Sequence, residues 1–179
     1  ADVAAFVAPI FKCLKAMQMN TVVVRNLSSP AIQLAILNEA QRNGLKVMLT
    51  EIPIYLSIKK QVDTLLADDA HHKPQPEAAA QLIEKTFSPI INKLKDHPAL
   101  LAYVVHDEPF VEETPGYRLL YETFRKLDPK HPATGYICRA SWNSDATSRR
   151  GIDNMKKIVE AVDAQVLFND LYPIRIPAE

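Results

Sequence analysis

Glycine is scarce in this sequence, with 4 among 179 residues. The loops that cradle phosphate in dinucleotide-binding enzymes and P-loop NTPases need several glycines, because the backbone must approach the phosphate closely. Neither G-x-G-x-x-G nor G-x-x-x-x-G-K-[ST] occurs. The sequence therefore argues against both classes of enzyme, and no cofactor is expected.

Cysteines and metal-binding motifs are also few. The two cysteines, Cys13 and Cys138, are too few for a disulfide framework, and we expect both to be buried free thiols, on a helix and a strand respectively. No C-x-x-C or H-E-x-x-H motif is present, so no metal site is expected. The run Asp68-Asp69-Ala70-His71-His72 offers possible ligands, but a solvated polar loop explains it better.

Neither charge sign is in excess, because 21 basic residues balance 21 acidic ones. A nucleic-acid partner is not expected, since binding phosphates takes a surplus of Lys and Arg. No apolar run approaches the ~20 residues of a membrane helix, so a membrane partner is not expected either. The compartment is left open, with a secreted or periplasmic location slightly favoured over the cytoplasm.

What the chain does contain is a regular alternation of helical and strand patterns, with a helix first. Five short apolar runs indicate strands at residues 21–24, 46–51, 100–108, 133–139 and 164–170. Such alternation predicts an α/β fold with a parallel sheet, either doubly wound or a (β/α) barrel. A full barrel takes ~250 residues. We therefore interpret residues 1–179 as one partial (β/α)₈ barrel, a catalytic-type domain with about five strands.

One long stretch, residues 52–75, separates the second strand from the next long helix, which Pro76 opens. Connections of this length are uncommon unless they are functional or partly structured. We expect a loop there with a short helix near residues 59–66.

Polar side chains stand at the predicted strand ends, where parallel α/β folds place their sites. The candidates are Arg25, Asn26, Glu51, His106, Asp107, Glu108, Arg139, Trp142, Asn169, Asp170 and Tyr172. Carboxylates, Asn and Arg can bind sugar hydroxyls, and Trp142 and Tyr172 can stack on the apolar face of a pyranose. Glycoside cleavage needs a carboxylic acid beside the leaving oxygen. Glu108 suits that role, since Pro109 favours an extended conformation there.

Most of these candidates also have a structural interpretation. Glu108 could be a strand-end carboxylate without a chemical role, and Asp107 could cap a helix or loop. Arg25, Asn26 and Glu51 could form ion pairs or hydrogen bonds inside the barrel mouth. Trp142 and Tyr172 could simply pack, and we expect His106 to be a packed histidine near the site.

The third strand and its end resemble a known pattern. The segment His97-Pro98-Ala99-Leu100-Leu101-Ala102-Tyr103, running into Asp107-Glu108-Pro109, is similar to the fourth barrel strand of clan A glycoside hydrolases. Fainter similarities to the same clan are seen at Leu14 to Val22, Asn43 to Val47, Leu127 to Pro132 and Asp170 to Pro173. The resemblance thus spans nearly the whole chain and maps its strands onto barrel strands two to six.

This resemblance implies a retaining glycosidase in which Glu108 is the general acid/base. Asp107 stands where the clan usually has Asn, a residue that binds the sugar 2-hydroxyl. The clan's nucleophile is a Glu at the end of strand seven, which lies outside this chain. The resemblance therefore implies a carbohydrate substrate, and a need for missing barrel segments, a partner chain or self-association. The alternatives are a barrel that binds carbohydrate without cleaving it, an inactive fragment, and another barrel enzyme acting on a small acid or phosphate.

Overall fold

The computed structural model describes residues 2–25, 29–68, 73–137, 149–164 and 166–169. Six α-helices and five strands alternate along these residues, apart from one pair of consecutive helices. In chain order they are α1 (Val3–Ala16), β1 (Thr21–Val24), α2 (Pro30–Arg42), β2 (Lys46–Thr50), α3 (Ile52–Leu66), α4 (Pro76–Leu94), β3 (Leu100–Asp107), a 3₁₀ helix (Val111–Glu113), α5 (Thr114–Leu127), β4 (Ala133–Ile137), α6 (Arg149–Val162) and β5 (Phe168–Asn169).

The strands form one parallel sheet in the order β1-β2-β3-β4-β5. Each strand pairs with the next along the chain, and the helices make the crossovers between them. This sequential order is that of a barrel wall, whereas a doubly wound sheet reverses its strand order at a switch point. The prediction of a parallel α/β fold with about five strands is confirmed.

Proline and glycine mark several element boundaries. Pro30 and Pro76 occupy the first positions of α2 and α4, where the missing backbone N–H breaks no helical hydrogen bond. Gly44 follows α2 with φ +63°, the left-handed conformation that glycine adopts at helix ends without strain.

The expected helix near residues 59–66 is present, but the expectation of a loop before it, at residues 52–58, is wrong. The helix α3 runs from Ile52 to Leu66 and begins directly after β2. Its first turn accommodates Pro53, and its inner face buries Tyr55 and Val62, two turns apart. The helix therefore begins seven residues before residue 59, where the sequence prediction placed its start.

Side-chain alternation divides the strands into an outer face, under the helices, and an inner face. Outer residues such as Val47, Leu49 and Tyr103 join the main core with Phe87 and Phe124 of the helices. A smaller cluster covers the inner face and consists of Met48, Ala102 and Val104, with Ile52, Tyr136 and Phe168 packed against it. The inner face is less covered, and Val23 there is 39% exposed. Among the described strands, β1 and β5 are the edges.

A buried polar contact fastens β3 to the segment after α5. The Tyr103 hydroxyl donates to Asp128 Oδ2 at 2.9 Å, and both residues are buried. The same carboxylate lies 2.8 Å from His131 Nδ1 and accepts from the Lys130 backbone N–H at 3.1 Å. Asp128 therefore organises the turn that leads into β4.

Two further expectations need correction. Cys13 is exposed rather than buried, because it lies on the side of α1 away from the core contact made by Phe11. Within the described residues, β2 ends at Thr50 and β3 at Asp107, each one residue earlier than predicted, and β5 begins at Phe168 rather than at Ala164. Cys138 lies outside the described residues.

Candidate functional site

Three side chains from different strands meet on the inner face at the carboxyl ends of the strands. Arg25, just after β1, holds its guanidinium carbon 5.0 Å from the centre of the Tyr136 ring. Its Nη1 lies 3.7 Å from Oδ2 of Asp107, the last residue of β3. Tyr136, near the end of β4, packs on Phe168 with 5.5 Å between ring centres. We call the group Arg25, Asp107 and Tyr136 the mouth cluster.

The mouth cluster is accessible to solvent. The side chains of Arg25 and Asp107 are 51% and 42% exposed, so their ion pair contributes little to stability, about 0–1 kcal/mol. The contact of Arg25 with the tyrosine ring is worth about 0.5–1 kcal/mol at such a site. The guanidinium and carboxylate thus keep donors and acceptors available for a ligand, while the ring restricts where the guanidinium lies.

A bulge in β3 decides which side chains face the mouth. Val104 pairs with Thr134, but the next pairs are His106 with Gly135 and Asp107 with Tyr136, so Val105 is an extra residue. Val105 belongs to the outer core and His106 contacts α5, so two consecutive side chains face outward. Without the bulge, alternation would turn His106 inward and Asp107 toward the helices. The bulge therefore brings Asp107 to Arg25.

Glu108 follows the strand in an unusual conformation. Its backbone N–H donates to the Tyr136 carbonyl at 2.9 Å, which adds one hydrogen bond beyond the last strand pair. Its φ is +46°, in the left-handed region that residues other than glycine seldom adopt. The expectation that Pro109 keeps Glu108 extended is wrong, because the chain turns here to bury Pro109. Strained backbone of this kind clusters at functional sites.

His106 is packed, as expected, and fully buried. Its Nε2 lies 3.0 Å from the Tyr121 hydroxyl, and its ring centre is 5.2 Å from that of Tyr117. Burial lowers the pKa of His106 to about 4, so the imidazole is neutral at ordinary pH.

Glu51 does not join the mouth cluster. Alternation from the inner residue Met48 places Glu51 on the outer side, where it is fully buried and accepts a hydrogen bond from Gln33 Nε2 at 2.9 Å. Burial raises the pKa of Glu51 to about 7. Its predicted part in binding sugar is untested and stays a prediction.

Asn26, Arg139, Trp142, Asp170 and Tyr172 lie outside the described residues, and of Asn169 only the backbone is described. One member of the mouth cluster, Tyr136, was missed by the sequence prediction. Alternation within β4 from the inner residue Thr134 was the signal that could have found it.

A hollow lies at the opposite end of the inner face from the mouth cluster. It has a volume of about 480 Å³ and is mostly apolar, with Met48, Ala102 and Phe168 in its wall. Its residues come mostly from the amino-terminal halves of the strands, and Phe168 lies between it and Tyr136 of the mouth cluster. Among the described residues, no group of three or more His, Cys, Asp or Glu is arranged to hold a metal ion. No helix in the described ranges is long and apolar enough to cross a membrane.

Solved structures with a similar backbone include glycoside hydrolases. A β-galactosidase from Marinomonas ef1 has a TM-score of 0.62 at 10% identity, over 93% of this chain and 38% of that one. The fold is that of a partial (β/α)₈ barrel. A β-mannanase from Mytilus edulis has a TM-score of 0.57 at 14% identity, over 90% of this chain and 60% of that one.

An FMN-binding β-glucuronidase from Facaelibacterium prausnitzii L2-6 also has a TM-score of 0.57 at 14% identity, over 94% of this chain and 22% of that one. This partial barrel therefore spans 22% to 60% of the length of these three chains. No family model and no curated protein matches the sequence. The resemblance to glycoside hydrolases is confirmed in the fold.

Proposed function

We propose that this chain forms part of a retaining glycoside hydrolase, with Glu108 as the general acid/base. The observation that carries the proposal is the position of Glu108, at the carboxyl end of β3 and directly after Asp107 of the accessible mouth cluster. Catalytic residues of (β/α)₈ enzymes come from such strand ends. The left-handed backbone of Glu108 adds support, because strain of this kind is retained where geometry matters for function.

In the proposed reaction, protonated Glu108 gives its proton to the glycosidic oxygen while the bond from that oxygen to the anomeric carbon breaks. A carboxylate nucleophile bonds to the anomeric carbon, and the leaving sugar departs as an alcohol. The Glu108 carboxylate then takes a proton from water, whose oxygen displaces the nucleophile. Configuration is retained, and Glu108 is again protonated.

The mouth cluster would bind the sugar ring next to the bond that breaks. Arg25 has guanidinium donors and Asp107 has carboxylate acceptors, so together they could hold neighbouring hydroxyls. Half of each side chain is already open to solvent, which leaves room for such contacts. Residues Asn26, Glu51, Arg139, Trp142, Asp170 and Tyr172 remain predicted substrate-binding residues.

A working site needs more than the described strands. The nucleophile would come from a strand outside this chain, about 5–5.5 Å from Glu108 for a retaining reaction. The exposed inner face, and an edge of β1 that pairs with no other described strand, also favour additional barrel segments, supplied by a longer chain, a partner or a second copy. On its own, this chain would bind carbohydrate weakly and cleave none.

The test uses the intact gene product and a panel of 4-nitrophenyl β-glycosides that includes the glucuronide, galactoside and mannoside. Glu108→Gln should lower hydrolysis at least about 100-fold, since general acid–base catalysis contributes about 10²–10⁴-fold. The matched control is Glu112→Gln, which changes an exposed carboxylate four residues further along. Equal activity of the two variants would refute the role of Glu108.

The second candidate function is a barrel that binds carbohydrate without cleaving it. The solvent exposure of Arg25 and Asp107 supports it, because both side chains can bind a sugar without a nucleophile nearby. It predicts sugar binding that Arg25→Ala and Asp107→Ala weaken, in an intact protein that hydrolyses none of the panel. Calorimetric titration with the same sugars separates the two functions.

A further inference from the structure

The slot that holds the His106 ring is formed by two neighbouring elements. On β4, a Cβ added to Gly135 would lie 2.4 to 2.5 Å from three atoms of the imidazole, so the ring occupies the space that any other residue would need. On α5, the Tyr121 hydroxyl is within hydrogen-bond distance of Nε2. The ring thus contacts β4 on one side and α5 on the other.

The same short part of β4 also contacts Glu108. Gly135 pairs with His106, and the next residue, Tyr136, accepts the Glu108 backbone N–H at 2.9 Å. Between these two contacts lies Asp107, which the bulge turns to the inner face. Two neighbouring residues of β4 therefore hold the His106 ring and the Glu108 backbone, so a displacement of the ring would also affect the position of Glu108.

We infer that His106 is a positioning residue: its ring, seated between Gly135 and Tyr121, maintains the bulge of β3 and thereby sets where Asp107 and Glu108 leave the strand. The inference rests on the proposed role of Glu108 for its catalytic meaning. If the ring left its slot, simple alternation would turn His106 inward and Asp107 toward α5. His106 touches no substrate and acts only through the backbone.

The first test reads Glu108 directly, without any substrate. The intact protein is labelled with ¹³C at the glutamate side-chain carboxyl, and Glu108→Gln assigns its signal. Gly135→Ala should shift the Glu108 signal, because the new methyl group displaces the imidazole. Gly116→Ala is the comparison variant, since its added Cβ would meet the Tyr55 hydroxyl at 2.5 Å and so crowds the same core next to Tyr117, while the contact between the His106 ring and Gly135 stays intact.

Both glycine variants should lose stability, so unfolding alone does not distinguish them. A Glu108 signal that both variants move equally, or that Gly135→Ala leaves in place, would overturn the inference. A gentler pair is Tyr121→Phe and Tyr117→Phe. Both tyrosines contact the His106 ring, but only Tyr121 places its hydroxyl at Nε2, so only Tyr121→Phe should move the Glu108 signal.

A double-variant cycle shows whether the effect passes through His106. If Gly135→Ala acts by displacing the imidazole, it should change the Glu108 signal little once His106→Ala has removed the ring, whereas additive changes would contradict the inference. Where the intact protein hydrolyses a glycoside, Gly135→Ala should lower kcat about 100-fold, as expected for a misplacement of about 1 Å, with KM nearly unchanged. The carboxyl signal is read without turnover, so it tests positioning even if no glycoside is cleaved.

Discussion

Glu51 offers the sharpest prediction about stability, because it is a buried carboxyl with a single neutral partner. Oε1 accepts from Gln33 Nε2 at 2.9 Å, and Oε2 has no hydrogen-bond partner among the described residues. Among the described residues no cation pairs with Glu51, and burial raises the pKa of Glu51 from its ordinary value of 4.5 to about 7. Replacing Glu51 by glutamine keeps the shape and the acceptor for Gln33, and removes the ionisation.

The size of the effect follows from the two pKa values. Between pH 4.5 and about 7 the unfolded chain loses the Glu51 proton while the folded chain keeps it, so the free energy of unfolding falls as pH rises. Above about pH 7 both states are ionised, and the contribution of Glu51 becomes constant. At about 1.36 kcal/mol for each pKa unit, the total loss is about 3 kcal/mol.

The assay is urea denaturation at pH 5 and pH 8 of wild type, Glu51→Gln and the exposed control Glu112→Gln. Glu51→Gln should match wild type within about 1 kcal/mol at pH 5 and exceed its free energy of unfolding by about 3 kcal/mol at pH 8. Glu112→Gln should follow wild type at both values. A difference between Glu51→Gln and wild type that does not change with pH would refute the reasoning.

Two further predictions concern other described contacts. Tyr103→Phe should lower the free energy of unfolding by about 1.5–3 kcal/mol, because buried Asp128 loses a hydrogen-bond donor. Urea denaturation measures this, with Tyr136→Phe as the control, which should change the free energy of unfolding by less than about 0.5 kcal/mol. Cys13 should react rapidly with a maleimide in the folded protein, since its side chain is exposed. Mass spectrometry should detect this modification in wild type and not in Cys13→Ser. Protection of Cys13 until denaturant is added would contradict the structure.

The fold was predictable where short-range patterns decide it. The β-branched run of β1 and the proline-opened helices α2 and α4 carry their structural preferences within a few residues, and each lies where it was expected. The helix α3 was missed in part because its first turn contains Pro53. Proline is compatible with the first turn of a helix, so the apolar spacing of Tyr55 and Val62 was the better guide.

The site was only partly predictable, because facing direction depends on strand alternation and on contacts between distant segments. Alternation alone separates Arg25, which faces inward, from Glu51, which faces the helices. Asp107 is different, since it faces the mouth only because of the bulge, and the bulge accompanies the fit of His106 against Gly135 on another strand. A contact between residues so far apart in the sequence leaves no short-range pattern.

The most direct test of the central claim measures Glu108→Ala on β-glycosides with good and poor leaving groups, using the intact protein. A dinitrophenyl group departs without a proton, so formation of the glycosyl-enzyme from that substrate should stay near the wild-type rate, whereas cleavage of an unactivated glycoside should fall by about 10²–10⁴-fold. Added azide should then speed the second step and yield a glycosyl azide of retained configuration. Equal losses on both substrates, or no loss on either, would contradict the account of Glu108 as the general acid/base.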